Sequence, residues 1–275
     1  MNDLMLSGIY IYPVKSLGGI SLGESILEER GLQYDRRWVL VDDEGIFITQ
    51  RKYPLLSLLK VSINGDHIMV SHQNEPEQYI SFPIAQQNGE TIQVTIWDDL
   101  TFGIEVSENV SNWFSNYLKF SVRLVKMEEQ TKRNVDPKYA SENDIVSFAD
   151  GYPCLIIGQS SLDQLNERLE IPVLMDRFRP NFVFTGGEPH VEDSISDFEL
   201  GGVLFSAVKP CARCVLITVD QQTGVKGAEP LKTLSKYRTK DHKIMFGQNL
   251  IHKGSGTIRI GMKLSIKSTK EKVIA

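Results

Sequence analysis

The sequence predicts a β-rich α+β fold, and three observations lead there. Short apolar and β-branched runs recur along the chain, separated by Asp-, Asn- and Gly-rich turns. Amphipathic helical periodicity is confined to two stretches. The strand-like runs are mostly not separated by regular helices of about 10–15 residues, which disfavours a doubly wound parallel sheet. At 275 residues the chain makes one large domain or two modest ones. A chain of this size buries roughly 75% of its unfolded surface, so it needs no staples.

Residues 4–14 read as the first strand, which stops at Lys15-Ser16-Leu17-Gly18-Gly19. Residues 38–41 and 46–49 flank Asp42-Asp43-Glu44-Gly45, a hairpin in which Gly45 supplies the positive φ. Residues 58–63 and 67–71 flank Asn64-Gly65-Asp66 as a second hairpin, and residues 91–97 alternate. Short strands at this spacing fit a barrel or a sandwich. Val110, Trp113, Phe114, Tyr117 and Leu118 form one apolar stripe and predict a helix. A charged, proline-containing stretch, 130–141, follows the next strand. The boundary between the two domains is placed near residue 120, giving 1–120 and 121–275. Further on, residues 154–158 read as a short buried strand. Ser161 and Gln164 read as a capping box opening a short helix with Leu162, Leu165 and Leu169 on one face. Residues 181–184, 203–208, 215–219, 257–260 and 263–266 read as strands.

Composition excludes several classes. Hydrophobic residues make up 41% and charged residues 24%, which is ordinary globular usage. A net charge of -5 speaks against nucleic acid as a partner. No apolar run reaches the roughly 18 residues that a membrane span needs, and the N-terminus carries no basic n-region or small-residue cleavage site. The three cysteines, Cys154, Cys211 and Cys214, fit a reducing compartment better than a disulfide scaffold. The expectation is a cytoplasmic protein with no membrane association. Phosphate-loop, dinucleotide, nucleophile-elbow and paired-histidine metal motifs are all absent from the sequence.

Four segments could carry chemistry. Lys209-Pro210-Cys211-Ala212-Arg213-Cys214 lies between two strand-like runs. A zinc site would need about two more Cys or His ligands at matching spacing. A thioredoxin-type dithiol ordinarily opens a helix, whereas residues 215–219 read as a strand. Two buried cysteines beside a strand are the plain alternative. Lys209 and Arg213 would favour a thiolate, and a thiolate among cations is a good soft-metal ligand. In Asp176-Arg177-Phe178-Arg179-Pro180-Asn181, Pro180 disfavours helix at Arg179. An extended segment would point Arg177 and Arg179 the same way. Paired guanidiniums suit a phosphate or a pterin-like ring; a face salt-bridged through Asp176 is the alternative. Pro13-Val14-Lys15-Ser16 and Asp35-Arg36-Arg37-Trp38 each put a cation at a strand end, with Asp35 able to pair with an arginine. Glu192-Asp193-Ser194 could orient a ligand or move a proton, or form an ordinary polar loop.

Taken in order, a set of segments resembles the MOSC-domain family, which binds molybdenum cofactor. They are Ile11 to Ser16, Gly31-Leu32 with Asp35 to Trp38, Ala149-Asp150-Gly151-Tyr152-Pro153 with Ser160-Ser161-Leu162, and Phe178 to Asn181. Glu192-Asp193-Ser194, the Cys211 to Cys214 motif, Thr218-Val219-Asp220 and Thr223-Gly224 complete the set. The resemblance covers nearly the whole chain and extends to the mitochondrial amidoxime-reducing components and their bacterial counterparts. It implies an N-terminal MOSC β-barrel domain followed by a MOSC β-barrel domain with a few helices. It implies Cys214 as the protein ligand to molybdenum. Lys15, Ser16, Arg36, Arg179 and Asn181 would hold the pterin and its phosphate. Ala212 and Arg213 would lie beside the metal, and Asp193 on the substrate side; Cys214 and Asp193 are then the catalytic candidates. The implied activity is two-electron reduction of small N-hydroxylated compounds: amidoximes, hydroxylamines and N-hydroxylated bases.

Departures from the family pattern are visible. Ala212 stands where many relatives have Ser, and Ile195 where Trp often follows Glu-Asp-Ser. Three cysteines do not supply the four thiolates of an iron–sulfur cluster. Electrons are therefore expected from a separate partner of reductase, ferredoxin or cytochrome type. Pyridoxal phosphate, which serves a separate domain of the related cofactor sulfurases, is not expected. Two other readings stand beside this one. The first is a non-catalytic carrier of molybdenum cofactor or of sulfur. The second is a dithiol redox protein using Cys211 and Cys214, with Cys154 a packed core residue.

Overall fold

The computed structural model describes residues 3–141 and 143–272. The outermost residues of the two expected domains, 1–2 and 273–275, lie outside the described residues. The fold is 43% strand and 15% helical, so the helices cap and connect sheets instead of forming a layer of their own.

The largest sheet has nine strands. Eight run in the spatial order Ser265–Thr269, Ile195–Leu200, Val203–Arg213, Lys243–Lys253, Cys154–Gly158, Phe182–Thr185, Met5–Ile11 and Ile20–Leu22, and Thr239–Lys240 pairs off that path with Lys243–Lys253. Cys154–Gly158 and Phe182–Thr185 are parallel. Helix Gln159–Asn166 lies in the crossover between them, as a parallel pair requires. A four-stranded sheet takes the order Trp38–Val41, Arg123–Lys126, Asp99–Glu105, Thr91–Ile96. Two three-stranded sheets complete the fold: Gly256–Arg259 with Glu24–Glu28 and Gly31–Leu32, and Leu59–Asn64 with His67–His72 and Glu75–Pro83.

The two halves of the sequence interlock. Met5–Ile11 pairs with Phe182–Thr185, Glu24–Glu28 pairs with Gly256–Arg259, and Arg123–Lys126 pairs with Trp38–Val41. Gly31 shows how tight the junction is: its φ is 104° and an added Cβ would sit 2.4 Å from the Pro153 carbonyl oxygen, so only glycine fits.

Helix Glu108–Leu118 forms where the apolar stripe predicts it. Ser107 Oγ accepts from the Val110 amide at the N-cap, and Lys119 ends the helix in the left-handed region. Phe114 is fully buried in a core that includes Trp38, Leu40, Val122 and Leu124.

Several local expectations differ. Residues 215–219 form a short 3-10 turn, Val215–Thr218, rather than a strand. Residues 46–49 make single bridges and no regular strand. Ser161 lies inside its helix, and Gly158 is the N-cap. The cap comes from elsewhere in the chain: Glu192 Oε1 accepts from the Gly158 amide at 3.2 Å and from Ser161 Oγ at 2.8 Å. Strand Glu75–Pro83 escapes the sequence pattern because it is an edge with mostly exposed residues.

Phe114→Ala empties a buried ring site and is expected to cost about 3–5 kcal/mol of unfolding free energy, read by urea denaturation.

Candidate functional site

The site is assembled where three chain segments are stitched by backbone hydrogen bonds. The Lys15 amide donates to the Trp38 carbonyl at 2.8 Å, the Arg36 amide to Tyr12 at 3.0 Å, and the Phe148 amide to Arg36 at 3.0 Å. The consequence is that Lys15, Arg36 and Asp150, far apart in sequence, converge at one place.

Tyr12 is the centre of the cluster. The guanidinium of Arg36 lies 4.3 Å from its ring centroid and that of Arg179 lies 4.2 Å from it. Arg36 Nη1 donates to Asp35 Oδ2 at 2.6 Å and to Asn181 Oδ1 at 3.2 Å, and Nη2 donates to the Arg179 carbonyl at 3.1 Å. The second Asp35 oxygen accepts from the Tyr12 amide at 2.8 Å, so the buried carboxylate is fully used. Arg179 Nη1 donates to the Leu17 carbonyl at 2.7 Å. Burial pulls Arg179 down to about 10. Burial also opposes charge on Arg36, but Asp35, Tyr12 and Asp150 together outweigh it and leave that guanidinium raised.

Lys15 is the third cation. Its Nζ pairs with Asp150 Oδ1 at 2.6 Å and lies 5.2 Å from the Phe47 ring centroid. Burial pulls its ammonium down to about 8, against the Asp150 charge and hydrogen bond. Ser16, buried beside it, is left-handed with φ 71°.

Arg213 extends the cluster toward the cysteines. Its Nη1 donates to the Phe178 carbonyl at 3.0 Å and its Nε to Phe246 at 2.9 Å, joining it to the segment that carries Arg179. Arg213 Nη2 is buried with no partner among the described residues. Cys214 follows at the end of strand Val203–Arg213, exposed, with Ala212 also exposed. Cys211 is half-buried, and the strand register shifts between Pro210 and Ala212. Burial pushes the Cys211 thiol up, and the charges that bear on it are Arg213, Asp150, Cys214 and Arg36. Cys154 is buried away from solvent, and burial holds its thiol far above the ordinary range.

Other expected site residues lie elsewhere or act differently. Arg177 and Arg179 do not point the same way: residues Met175–Arg177 form a 3-10 turn, and Arg177 pairs with Asp220 at 2.5 Å. Lys209 does not flank a thiol; its Nζ sits over Tyr139 and Tyr152, at 4.6 and 5.8 Å. Asp193 has no face left for a substrate. One oxygen pairs with Arg238 at 2.5 Å, the other accepts from Gln248 at 2.8 Å, and the residue is 1% exposed. Asn181 is likewise engaged: its Oδ1 accepts from Arg36 and from the Leu155 amide, and its Nδ2 donates to the Tyr10 carbonyl. It orients Arg36 and ties two strands.

Two family models match the chain: the MOSC N-terminal beta barrel domain over residues 4–121 and the MOSC domain over residues 143–265. Mouse mitochondrial amidoxime-reducing component 1 is 32% identical over 92% of this chain and 79% of its own length. The chain belongs to the MOSC family. Rat mitochondrial amidoxime reducing component 2 is similar at 33% identity, over 93% of this chain and 81% of its own. Bovine molybdenum cofactor sulfurase is 26% identical over 92% of this chain, which spans 30% of that protein. These matches place the chain among MOSC proteins with a molybdenum-cofactor-related function. No described helix is long and apolar enough to cross a membrane.

The residues present fit such a group. A phosphate-bearing metallopterin needs converging cations, a soft donor and unfilled hydrogen-bond donors. Here those are Lys15, Arg36 and Arg179, the exposed Cys214 thiol, and Arg213 Nη2. The sequence places Tyr12 within the Ile11 to Ser16 motif without giving it a role, and does not single out Phe47 or Trp97. Their signal was weak because aromatic residues at strand ends usually pack into cores.

Two outcomes follow. Asp35→Asn leaves Arg36 buried without its counter-charge and is expected to destabilise by about 3–5 kcal/mol in urea denaturation. Lys15 titrates lower in the folded chain than an exposed lysine does, so the unfolded chain binds more protons above about pH 8. Stability therefore rises with pH from there to the ordinary lysine range. Lys15→Met is expected to lack that rise when urea denaturation is followed across the window.

Proposed function

We propose that this MOSC protein binds molybdenum cofactor and reduces N-hydroxylated compounds with electrons from a separate donor protein. The observation that carries the reading is one connected group, Lys15–Asp150, Arg36–Asp35–Tyr12–Arg179 and Arg213, ending at the exposed Cys214. In a chain of net charge -5 this is a local basic site, as a bound anion requires. The names of the mouse and rat relatives supply the amidoxime-reducing assignment.

In this reading Lys15, Ser16, Arg36 and Arg179 hold the cofactor phosphate and pterin. One charge-assisted hydrogen bond is worth about 1.5–3 kcal/mol net, so three or four hold the group without a covalent link. Asn181 keeps Arg36 oriented. Ala212 and Arg213 line the pterin near the metal, with Arg213 Nη2 a donor still free to bond. Cys214 gives one thiolate to molybdenum, and its exposure leaves the site open to substrate and electron donor. When bound, the cofactor supplies two-electron redox chemistry at molybdenum. The reaction consumes two electrons and two protons, breaks the N–O bond and releases water, leaving the amine or amidine. Asp193, closed by Arg238 and Gln248, takes no part in substrate contact.

The sulfurase match favours a second reading, a carrier of cofactor or sulfur. It predicts a persulfide on a cysteine and no turnover.

Purified protein is expected to contain molybdenum and pterin and to reduce a hydroxylamine with an artificial electron donor. Cys214→Ala is expected to lose at least about 1.4 kcal/mol of transition-state stabilisation, tenfold in rate, along with its molybdenum by metal analysis. Full activity in that variant would reject the assignment.

A further inference from the structure

Strands Thr91–Ile96 and Asp99–Glu105 pair so that Ile96 faces Asp99, leaving Trp97 first in a two-residue turn. Its φ is 58°, in the left-handed region where such turns ordinarily carry Gly or Asn. A bulky residue there is strained, and glycine would remove the strain. The residue is 46% exposed, so burial does not account for the indole being kept.

The contacts of the indole do. Trp97 Nε1 donates to Asp150 Oδ1 at 3.1 Å. That same oxygen pairs with Lys15 Nζ at 2.6 Å. The ring meets Phe47 edge-on at 5.4 Å and lies under the Arg51 guanidinium at 4.1 Å. Phe47 in turn is the ring that Lys15 overlies. Arg133 fixes the turn against the Asp150 segment. It pairs with Asp99 at 2.7 Å and donates to the carbonyls of Ser147, Ala149 and Asp150 at 2.9, 2.6 and 3.1 Å.

The asymmetry of the Lys15–Asp150 pair explains what the indole is for. The Lys15 side chain is 8% exposed and the Asp150 side chain 73%. An open carboxylate has water and other rotamers to choose from, and exposed ion pairs are weak for that reason. A buried ammonium cannot follow it out. Arg36 and Arg133 also bear on Lys15 and both oppose its charge. Without Asp150 the Phe47 ring is left as the partner that favours the protonated form, and no carboxylate balances the two guanidiniums.

We propose that Trp97 is a positioning residue whose indole N–H pins the Asp150 carboxylate over Lys15, so that the ammonium stays charged and in place. Its use as part of an anion grip rests on the cofactor reading above; the pinning itself does not. The strained turn is kept because glycine or asparagine would lose either the reach or the ring contacts with Phe47 and Arg51.

The test is the rate at which Lys15 of the purified apoprotein is acylated by a limiting reagent near neutral pH, read by mass spectrometry. Only the neutral amine reacts. Trp97→Phe keeps a ring and loses the N–H; Trp97→His keeps an N–H donor. Trp97→Phe is expected to raise Lys15 labelling about threefold to tenfold with an unchanged unfolding midpoint, and Trp97→His to bring the rate back toward wild type. Asp150→Asn is expected to raise labelling as well and to abolish any further effect of Trp97→Phe. An unchanged rate in Trp97→Phe, or the same increment in the Asp150→Asn background, overturns the proposal. Protein loaded with cofactor is expected to release its pterin faster in Trp97→Phe. Should the wild type carry no pterin, Lys15 labelling still decides the role of Trp97, and the cofactor reading alone falls.

Discussion

Arg36 and Arg179 both stack on Tyr12, within a cluster that Lys15 completes. Like charges this close repel, and burial strengthens the repulsion because little water screens it. Asp35 answers it: its carboxylate, 1% exposed, takes Arg36 on one oxygen and the Tyr12 amide on the other. Other guanidinium N–H groups donate to Asn181 Oδ1 and to the carbonyl oxygens of Arg179 and Leu17. A buried charge without partners is the costliest group a fold can hold. The surrounding segments supply those partners, and in the proposed reading the donors left over face the anion.

That constraint explains the topology around the site. Tyr12, Lys15 and Arg36 come from the first half of the sequence, and Asp150, Arg179, Arg213 and Cys214 from the second. They meet only because Met5–Ile11 joins the large sheet beside Phe182–Thr185 and because Arg123–Lys126 pairs back onto Trp38–Val41. Ser16, Arg36, Trp97 and Arg179 all take positive φ without being glycine. Four such residues in one cluster point to strain tolerated where side chains are needed in fixed directions.

Much of this was legible in the sequence. The helix Glu108–Leu118, the hairpin of Leu59–Asn64 with His67–His72 and the fold class follow from periodicity and turn residues, which are local signals; the expected hairpin after Trp38–Val41 turns back through single bridges and no regular strand. Asp35 beside Arg36 suggested a fixed arginine, and the pair is formed. What the sequence hid depends on long-range pairing. Arg177 and Arg179 look equivalent as a dipeptide repeat, but a 3-10 turn at Met175–Arg177 and the left-handed Arg179 send them to different partners. Lys209 sits two residues from Cys211, yet Tyr139 and Tyr152 capture it. Asp193 reads as a loop acid, and only its distant partners Arg238 and Gln248 reveal a closed internal pair. Glu192 caps a helix more than thirty residues earlier, a task no spacing rule would assign to it.

The distribution of burial across the site orders its parts. Lys15 and Arg179 are buried and partnered, whereas Asp150 and Cys214 are exposed. The cations form the closed end and the soft donor the open end. A fixed positive floor stabilises an anion without reorganising, which gives electrostatic binding its strength. A thiol at the surface, in contrast, leaves room for whatever must approach the reacting centre. With Asp193 sealed in the interior, the protons that the proposed reduction consumes would come from water or from other groups at the open end. Asp150 is exposed but supplies no proton: Lys15, Trp97 and Arg36 hold its carboxyl well below the usual carboxylate range against burial, so it stays ionised, and its pairing with Lys15 ties the exposed edge of the site to the buried cation.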